Sequence, residues 1–184
     1  MAIVDNISQK PIGVIQALYN KQNEFSFIGS IGKGKLADIF WFGIMDRKIT
    51  VDPQKGVYVV YLVSYDGESI YLALIQGVNG AIQNATEYDE TIYRLKNNRN
   101  VIMEKIKRRL SQAPENYSES FTEGTIDLSI SDKKTFFTAK AYQEAALFSK
   151  KYSCGDVLSE DVLRNDLRNM LKIYNNYRLA LTQR

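Results

Sequence analysis

Residues 29–36 read GSIGKGKL, which departs from the phosphate-binding loop G-x-x-x-x-G-K-[ST] only at its last position. That position should carry a hydroxyl for Mg²⁺, and Leu36 has none. Residues 38–45 then read as an apolar strand, whereas a phosphate site needs the N-terminus of a helix there. The sequence favours instead a loop whose glycines allow close approach to a polyanion such as a DNA backbone, with a plain connecting loop as the alternative. The residues of this DNA-contact loop are Gly32, Lys33, Gly34 and Lys35.

The side chains that most often carry out hydrolytic chemistry are missing or dispersed. The chain has no histidine, which excludes Ser-His-Asp and Cys-His arrangements and His-bearing zinc sites, and Cys154 is its only cysteine. Four aspartates that could serve a metal nuclease fit no P-D…(D/E)-x-K pattern: Asp38, Asp46, Asp52 and Asp66. We therefore expect a binding module with no catalytic residue, metal site or cofactor of its own, and keep a metal nuclease as an alternative.

Aromatic residues are abundant, with twelve tyrosines, eight phenylalanines and a single tryptophan. Residues two apart on a strand share a face, so Tyr58, Val60 and Leu62 should point the same way. If the strand that contains Trp41 lies beside this one, Trp41, Tyr58 and Leu62 could line one pocket. The alternative is that all three are core residues.

Hydrophobic periodicity predicts the elements that position these side chains. Strands are expected at residues 24–28, 39–45, 57–65, 70–76 and 125–130, with a tight hairpin turn at Asp66-Gly67. Helices are expected at residues 7–18, 89–110 and 133–152, and from Ser159, which is a good N-cap. This order predicts one α+β domain over residues 1–184, with a largely antiparallel sheet flanked by helices.

Positive charge gathers in the second half of the chain, although the net charge is only +3. Residues 91–112 carry seven Lys/Arg against one Asp/Glu, and residues 133–184 carry ten against five. Such segments favour a polyanion, with solvated helix faces as the alternative. A lone cysteine, no signal peptide and no long apolar run are typical of a cytoplasmic protein that does not span a membrane.

Five blocks, taken in order, resemble segments of the McrB-like N-terminal domains of modified-cytosine restriction systems. They are residues 32–42, with the G-x-G and the tryptophan; residues 54–62, with Gly56, Tyr58 and Leu62; residues 70–77, read as Y-L-x-L-x-Q-G; residues 124–128; and residues 165–174. Two positions depart from the family pattern. Phe40 replaces a proline before the tryptophan, and Lys33 stands where the best-known member has an aromatic residue.

The resemblance implies a module that binds double-stranded, methylated DNA and flips the modified cytosine into a pocket formed by Trp41, Tyr58 and Leu62. It also implies that this module is excised from a longer restriction protein, whose AAA+ GTPase segment and nuclease subunit act as partners. DNA binding without base flipping and a protein-interaction domain remain the alternatives.

Overall fold

Six strands and three helices make up the part of the chain described by the computed structural model, namely residues 24–30, 39–78, 85–113, 117–124, 126–130, 136–156 and 159–182. The strands are β1 (Phe25–Ser30), β2 (Trp41–Asp46), β3 (Val57–Val63), β4 (Ser69–Gln76), β5 (Thr122–Glu123) and β6 (Ala146–Ser153). The helices are α1 (Ala85–Leu110), α2 (Phe136–Glu144) and α3 (Glu160–Thr182). Within these ranges, no helix combines the length and the apolar character needed to cross a bilayer.

The strands form one sheet in the order β1-β2-β3-β4-β6-β5, and each neighbouring pair is antiparallel. The predicted tight turn joins β3 to β4. Gly67 adopts a φ of +74°, which glycine tolerates readily, and its N–H donates to the Ser64 carbonyl at 2.9 Å. The Asp66 carboxylate accepts hydrogen bonds from the Ser64 hydroxyl at 2.5 Å and the Glu68 N–H at 3.0 Å. The predicted α+β fold with a largely antiparallel sheet flanked by helices is therefore confirmed.

Both faces of the sheet are covered, because alternate side chains of each strand point to opposite sides. On one side, called the α3 face, strand residues such as Ile44, Val59 and Leu72 share a hydrophobic core with α3 and the C-terminal half of α1. The α3 residues in this core recur with helical spacing: Leu167, Met170, Leu171, Ile173, Tyr174 and Tyr177. On the other side, called the α2 face, Val60 and Ala73 share a second core with α2, residues 126–130 and the N-terminal half of α1.

A buried tyrosine fixes α3 on the sheet. The Tyr174 hydroxyl accepts a hydrogen bond from the Asp46 N–H at 3.0 Å and donates one to the Val57 carbonyl at 2.8 Å. Burial is the main reason why the pKa of Tyr174 lies far above its usual value, so this hydroxyl stays protonated and can fill both roles. The beginning of α3 also agrees with prediction, because the Ser159 Oγ accepts from the Val162 N–H at 3.3 Å.

Two predicted elements are wrong. Residues 133–152 do not form one helix, because α2 ends at Glu144 and the chain continues as β6 beside β4. Residues 126–130 are not a strand, although Ile126 and Leu128 are buried: Ser129 has a φ of +53°, which is incompatible with a regular ladder. Among the described residues between α1 and α2, the only strand is the short β5. The predicted helix at residues 7–18 lies outside the described residues.

Candidate nucleic-acid interface

Trp41 and Leu62 lie directly opposite each other on β2 and β3, as Cα partners in the antiparallel register. Tyr58 lies four residues before Leu62 on β3, so its side chain shares the same face. All three belong to the hydrophobic cluster of the α2 face. The adjacency on which the pocket hypothesis depended is therefore present, and the register brings the three predicted side chains to one side of the sheet.

The three side chains differ in how accessible they are. Tyr58 and Leu62 are each only 2% exposed, whereas Trp41 is half-buried. A Cβ built at Gly43 would lie 3.4 Å from the Cζ3 of Trp41, so the indole extends along its own strand over a residue that has no side chain. Trp41 is therefore the member that an incoming ligand can reach first, while the other two are core residues in this conformation.

The Tyr58 hydroxyl is electrically neutral over the physiological range. Burial raises the pKa of Tyr58 far above its usual value, and the nearby Tyr142 and Asp52 raise this pKa further. A neutral phenol can both donate and accept a hydrogen bond. The Tyr58 hydroxyl can therefore hydrogen-bond with either a donor or an acceptor group of a ligand that reaches it.

The row of residues that begins at Trp41 continues across the sheet. Leu62 is the Cα partner of Tyr71 on β4, and Tyr71 is the partner of Lys151 on β6. The Lys151 Nζ lies 6.0 Å from the centre of the Tyr71 ring. Sequence reasoning missed this half of the row because it predicted a helix at Lys151. The period of two, with the large residues Phe148 and Tyr152 on one face and the polar residues Ser149, Lys151 and Ser153 on the other, is the signal that could have indicated a strand there.

The predicted DNA-contact loop, Gly32, Lys33, Gly34 and Lys35, lies outside the described residues. Its attachment points are described. Strand β1 ends at Ser30, which is the Cα partner of Trp41, and the next described residue is Ile39, just before β2. Residues 31–38 therefore connect to the sheet at the Trp41 end.

The basic surplus on α1, β6 and α3 is partly neutralised. Six cations of these elements form ion pairs: Arg94 with Glu90, Arg99 with Glu144, Lys107 with Glu123, Lys150 with Asp166, Arg164 with Glu160, and Arg178 with both Glu24 and Asp46. Four exposed cations form no ion pair with another residue of the described ranges: Lys96, Lys105, Arg108 and Lys151. Fewer positive charges are thus available to a polyanion than the sequence count of Lys and Arg indicates. One of them, Lys151, ends the Trp41 row, which is the row of Cα partners Trp41, Leu62, Tyr71 and Lys151.

The described aspartates that were candidates for metal chemistry have structural partners. Asp46 pairs with Arg178 at 3.3 Å, Asp52 accepts from the Gln54 N–H at 2.9 Å, and Asp66 caps the β3–β4 turn. Asp38 lies outside the described residues. The three side chains are therefore bound within separate turns and contacts, and they do not converge on one centre.

Two cavities lie away from the Trp41 row. One, of about 220 Å³, is lined by residues at the start of β3, the end of β4 and the middle of α1, among them Gly56, Gln76 and Asn98. The other, of about 240 Å³, lies between Lys48 and the last turns of α3. Neither includes Trp41, Tyr58 or Leu62 in its lining.

Comparison with known proteins finds one matching family. The family described as "MrcB-like, N-terminal domain" has a sequence model that matches residues 4–179, which is nearly the whole chain. No curated protein sequence matches the chain significantly.

Proposed function

Because the chain belongs to the family of MrcB-like N-terminal domains, as its resemblance to McrB-like domains predicted, we propose that it is the DNA-reading module of a modification-dependent restriction system. It binds double-stranded DNA and reads a 5-methylcytosine-type base that is flipped out of the helix. The observation that carries this proposal is that Trp41, Leu62 and Tyr58 share one face of adjacent strands and one hydrophobic cluster.

The three side chains match the needs of a flipped base, which are a flat surface for stacking, a polar group for its Watson–Crick edge and a closely fitting wall. Trp41 supplies the flat surface and is partly accessible. Tyr58 supplies a neutral hydroxyl, and Leu62 supplies an apolar contact for the 5-methyl group. Since Tyr58 and Leu62 are buried, the base enters at Trp41 and displaces part of the packing on the α2 face.

The predicted DNA-contact loop lies within residues 31–38, which link Ser30, the Cα partner of Trp41, to Ile39. Gly32 and Gly34 allow its backbone to approach DNA closely, and Lys33 and Lys35 neutralise phosphates. With lysine instead of an aromatic residue at position 33, the loop contacts the backbone or a base edge and does not fill the gap in the stack.

In this proposal the chain only recognises DNA and requires no cofactor. A downstream AAA+ GTPase segment or a nuclease subunit of the parent restriction protein supplies motor and cleavage activity. The chain acts in the cytoplasm, where foreign DNA is encountered. Purified chain should therefore leave modified DNA intact in the presence of Mg²⁺, and cleavage would revive the nuclease alternative.

DNA binding without base flipping is the second candidate. It is favoured by the near-complete burial of Tyr58 and Leu62, and by the exposed cations Lys96 and Arg108, which can contact phosphates wherever the duplex lies. The two candidates differ in what they predict for modified DNA. Flipping predicts a preference for the modified duplex that depends on Trp41, whereas backbone binding predicts equal affinity.

The test is a titration of wild type and Trp41→Ala with methylated and unmethylated duplexes of one sequence at fixed salt. We expect wild type to prefer the methylated duplex, and Trp41→Ala to lose about ten-fold to a hundred-fold in affinity for it, because stacking on an aromatic ring contributes roughly 1–3 kcal/mol. A 2-aminopurine at the target should change its fluorescence on binding. Equal affinities with unchanged fluorescence would support backbone binding, and absence of binding at low salt would support a protein-interaction domain.

A further inference from the structure

Lys150 and Lys151 are neighbours on β6 with opposite environments. Lys150 points to the α3 face, where its Nζ lies 2.8 Å from the buried Asp166 carboxylate. Lys151 points to the α2 face, is exposed, and forms no ion pair with any residue that the structure describes. The charge of Lys150 is therefore compensated inside the fold, whereas that of Lys151 faces solvent.

The position of Lys151 is set by the sheet. It ends the row Trp41–Leu62–Tyr71–Lys151, and its Nζ lies 6.0 Å from the centre of the Tyr71 ring, at the outer limit of a cation–π contact. Strand β5 pairs only with Phe148 and Ser149 of β6, so β6 has no partner from β5 beside Lys151. The Tyr71 ring thus lies near the Lys151 ammonium group, at a part of the sheet edge that β5 does not cover, on the same face as Trp41.

The distance along the row determines what this cation can reach. Three interstrand spacings separate Trp41 from Lys151, which amounts to about 14 Å between their backbones. A single base is shorter than this distance, so one flipped base that stacks on Trp41 does not also extend to Lys151. The sugar and phosphate attached to this base must then lie at the edge of the α2 face of the sheet.

We propose that Lys151 binds a backbone phosphate of the flipped nucleotide, with the Tyr71 ring orienting the lysine; this inference rests on the proposed reading of a flipped base. Ammonium and phosphate form a charge-assisted hydrogen bond, and such contacts fix the position of a nucleic acid without reading its sequence. Trp41 and Lys151 then hold the two ends of one nucleotide, the base and the phosphate.

The test compares Lys151→Gln with Lys105→Gln, which removes the same charge from an exposed position on α1. Each variant is titrated with a methylated duplex, an unmethylated duplex and a duplex whose target nucleotide is abasic. We expect Lys151→Gln to weaken binding of the methylated and abasic duplexes about ten-fold, since both present the phosphate. Its effect on the unmethylated duplex should match that of Lys105→Gln, within about three-fold of wild type. Trp41→Ala should leave the abasic duplex unaffected, and Lys151→Arg should restore most of the affinity.

Three results would overturn the inference. Equal effects of Lys151→Gln and Lys105→Gln on all duplexes would reduce Lys151 to general surface charge. A loss for the methylated but not the abasic duplex would make Lys151 a contact to the base. A lower melting temperature for Lys151→Gln that accounts for its weaker binding would make its role structural. The wild-type titration tests the proposed function separately, since wild type without preference for methylated DNA removes the flipped base from both proposals.

Discussion

Tyr58 and Tyr174 are both buried tyrosines, but they belong to opposite faces of the sheet. Substitutions at the two positions can therefore show whether stability and DNA affinity depend on different residues. Tyr58 lies on the α2 face, in the same hydrophobic cluster as Trp41 and Leu62. Tyr174 packs on the α3 face and donates to the carbonyl of Val57, the residue next to Tyr58. Replacing either tyrosine by phenylalanine removes a hydroxyl and keeps the packing of the ring. The two substitutions should therefore separate the energy of folding from that of DNA binding.

Tyr174→Phe should destabilise the fold. It leaves the buried Asp46 N–H without the hydroxyl that it donates to at 3.0 Å, and an unsatisfied buried group costs roughly 1–3 kcal/mol. For a chain of this length each kcal/mol lowers the melting temperature by about 2–4 °C, so we expect a decrease of about 2–12 °C. The affinity for methylated DNA, measured well below the melting temperature, should stay within about two-fold of wild type because Tyr174 is on the other side of the sheet.

Tyr58→Phe should give the opposite pattern. Its melting temperature should change little, while the loss of one hydrogen bond to the base, about 0.5–1.5 kcal/mol, should weaken binding of methylated DNA by roughly 2- to 12-fold. Thermal melts and fluorescence anisotropy titrations measure the two quantities on the same preparations. If Tyr58→Phe binds methylated DNA as tightly as wild type does, the hydroxyl does not read the base and Tyr58 is a core residue alone.

Three further predictions follow from the structure and the sequence. Burial raises the pKa of several tyrosines above the value of about 10 for the unfolded chain, most strongly at Tyr58, Tyr61, Tyr152 and Tyr174. The stability that their protonated forms provide is therefore complete below about pH 10 and is lost as pH rises further. Tyrosinate absorbance of this buried set should therefore rise together with the loss of circular dichroism, and ionisation in a chain that stays folded would contradict it. Gly77→Ala should lower the melting temperature severely, because its Cβ would collide with the backbone nitrogen of Lys55. Gly155→Ala places its Cβ within 4 Å of no described residue and should melt like wild type. Equal melting temperatures for the two variants would refute this prediction. Lys33→Ala and Lys35→Ala should each weaken DNA binding and leave the melting temperature unchanged. Each should also reduce the slope of log affinity against log salt concentration by about 0.9, because one phosphate contact is lost. Unaltered slopes would exclude phosphate contacts by these two lysines.

The central strands were predictable because their residues satisfy local and tertiary demands together. Val57–Val63 and Ser69–Gln76 combine β-branched and aromatic residues with a turn at Asp66-Gly67, so propensity, alternation and turn chemistry agree. Their register then followed from the turn, and it is this register that aligns Leu62 with Tyr71.

The region after α1 was not predictable in the same way, because tertiary pairing decides its structure. Residues 146–153 contain alanine and lysine, which also suit a helix, and they form β6 because β4 offers an open edge beside them. Ile126 and Leu128 do alternate towards the core as a strand would, yet only a single backbone hydrogen bond from the Tyr65 N–H to the Leu128 carbonyl ties this segment to the hairpin. The sequence did not predict Lys151 as a member of the Trp41 row, because residues 146–153 suit a helix as well as a strand.

The packing of the α2 face limits how a base can be read there. Tyr58 and Leu62 share their cluster with Leu128, Ala141 and Ala145, all of which are fully buried, so a base that contacts Tyr58 must displace some of these neighbours. Displacing packed side chains costs free energy, and only contacts made after entry can offset it. Trp41 is already half-exposed over Gly43 and can stack on a base before anything moves. In the proposed function, the base therefore stacks on Trp41 first. Contacts between its 5-methyl group and Leu62 form only in a second step, when the base moves further into the α2 face. Discrimination between modified and unmodified cytosine should therefore occur in this second step.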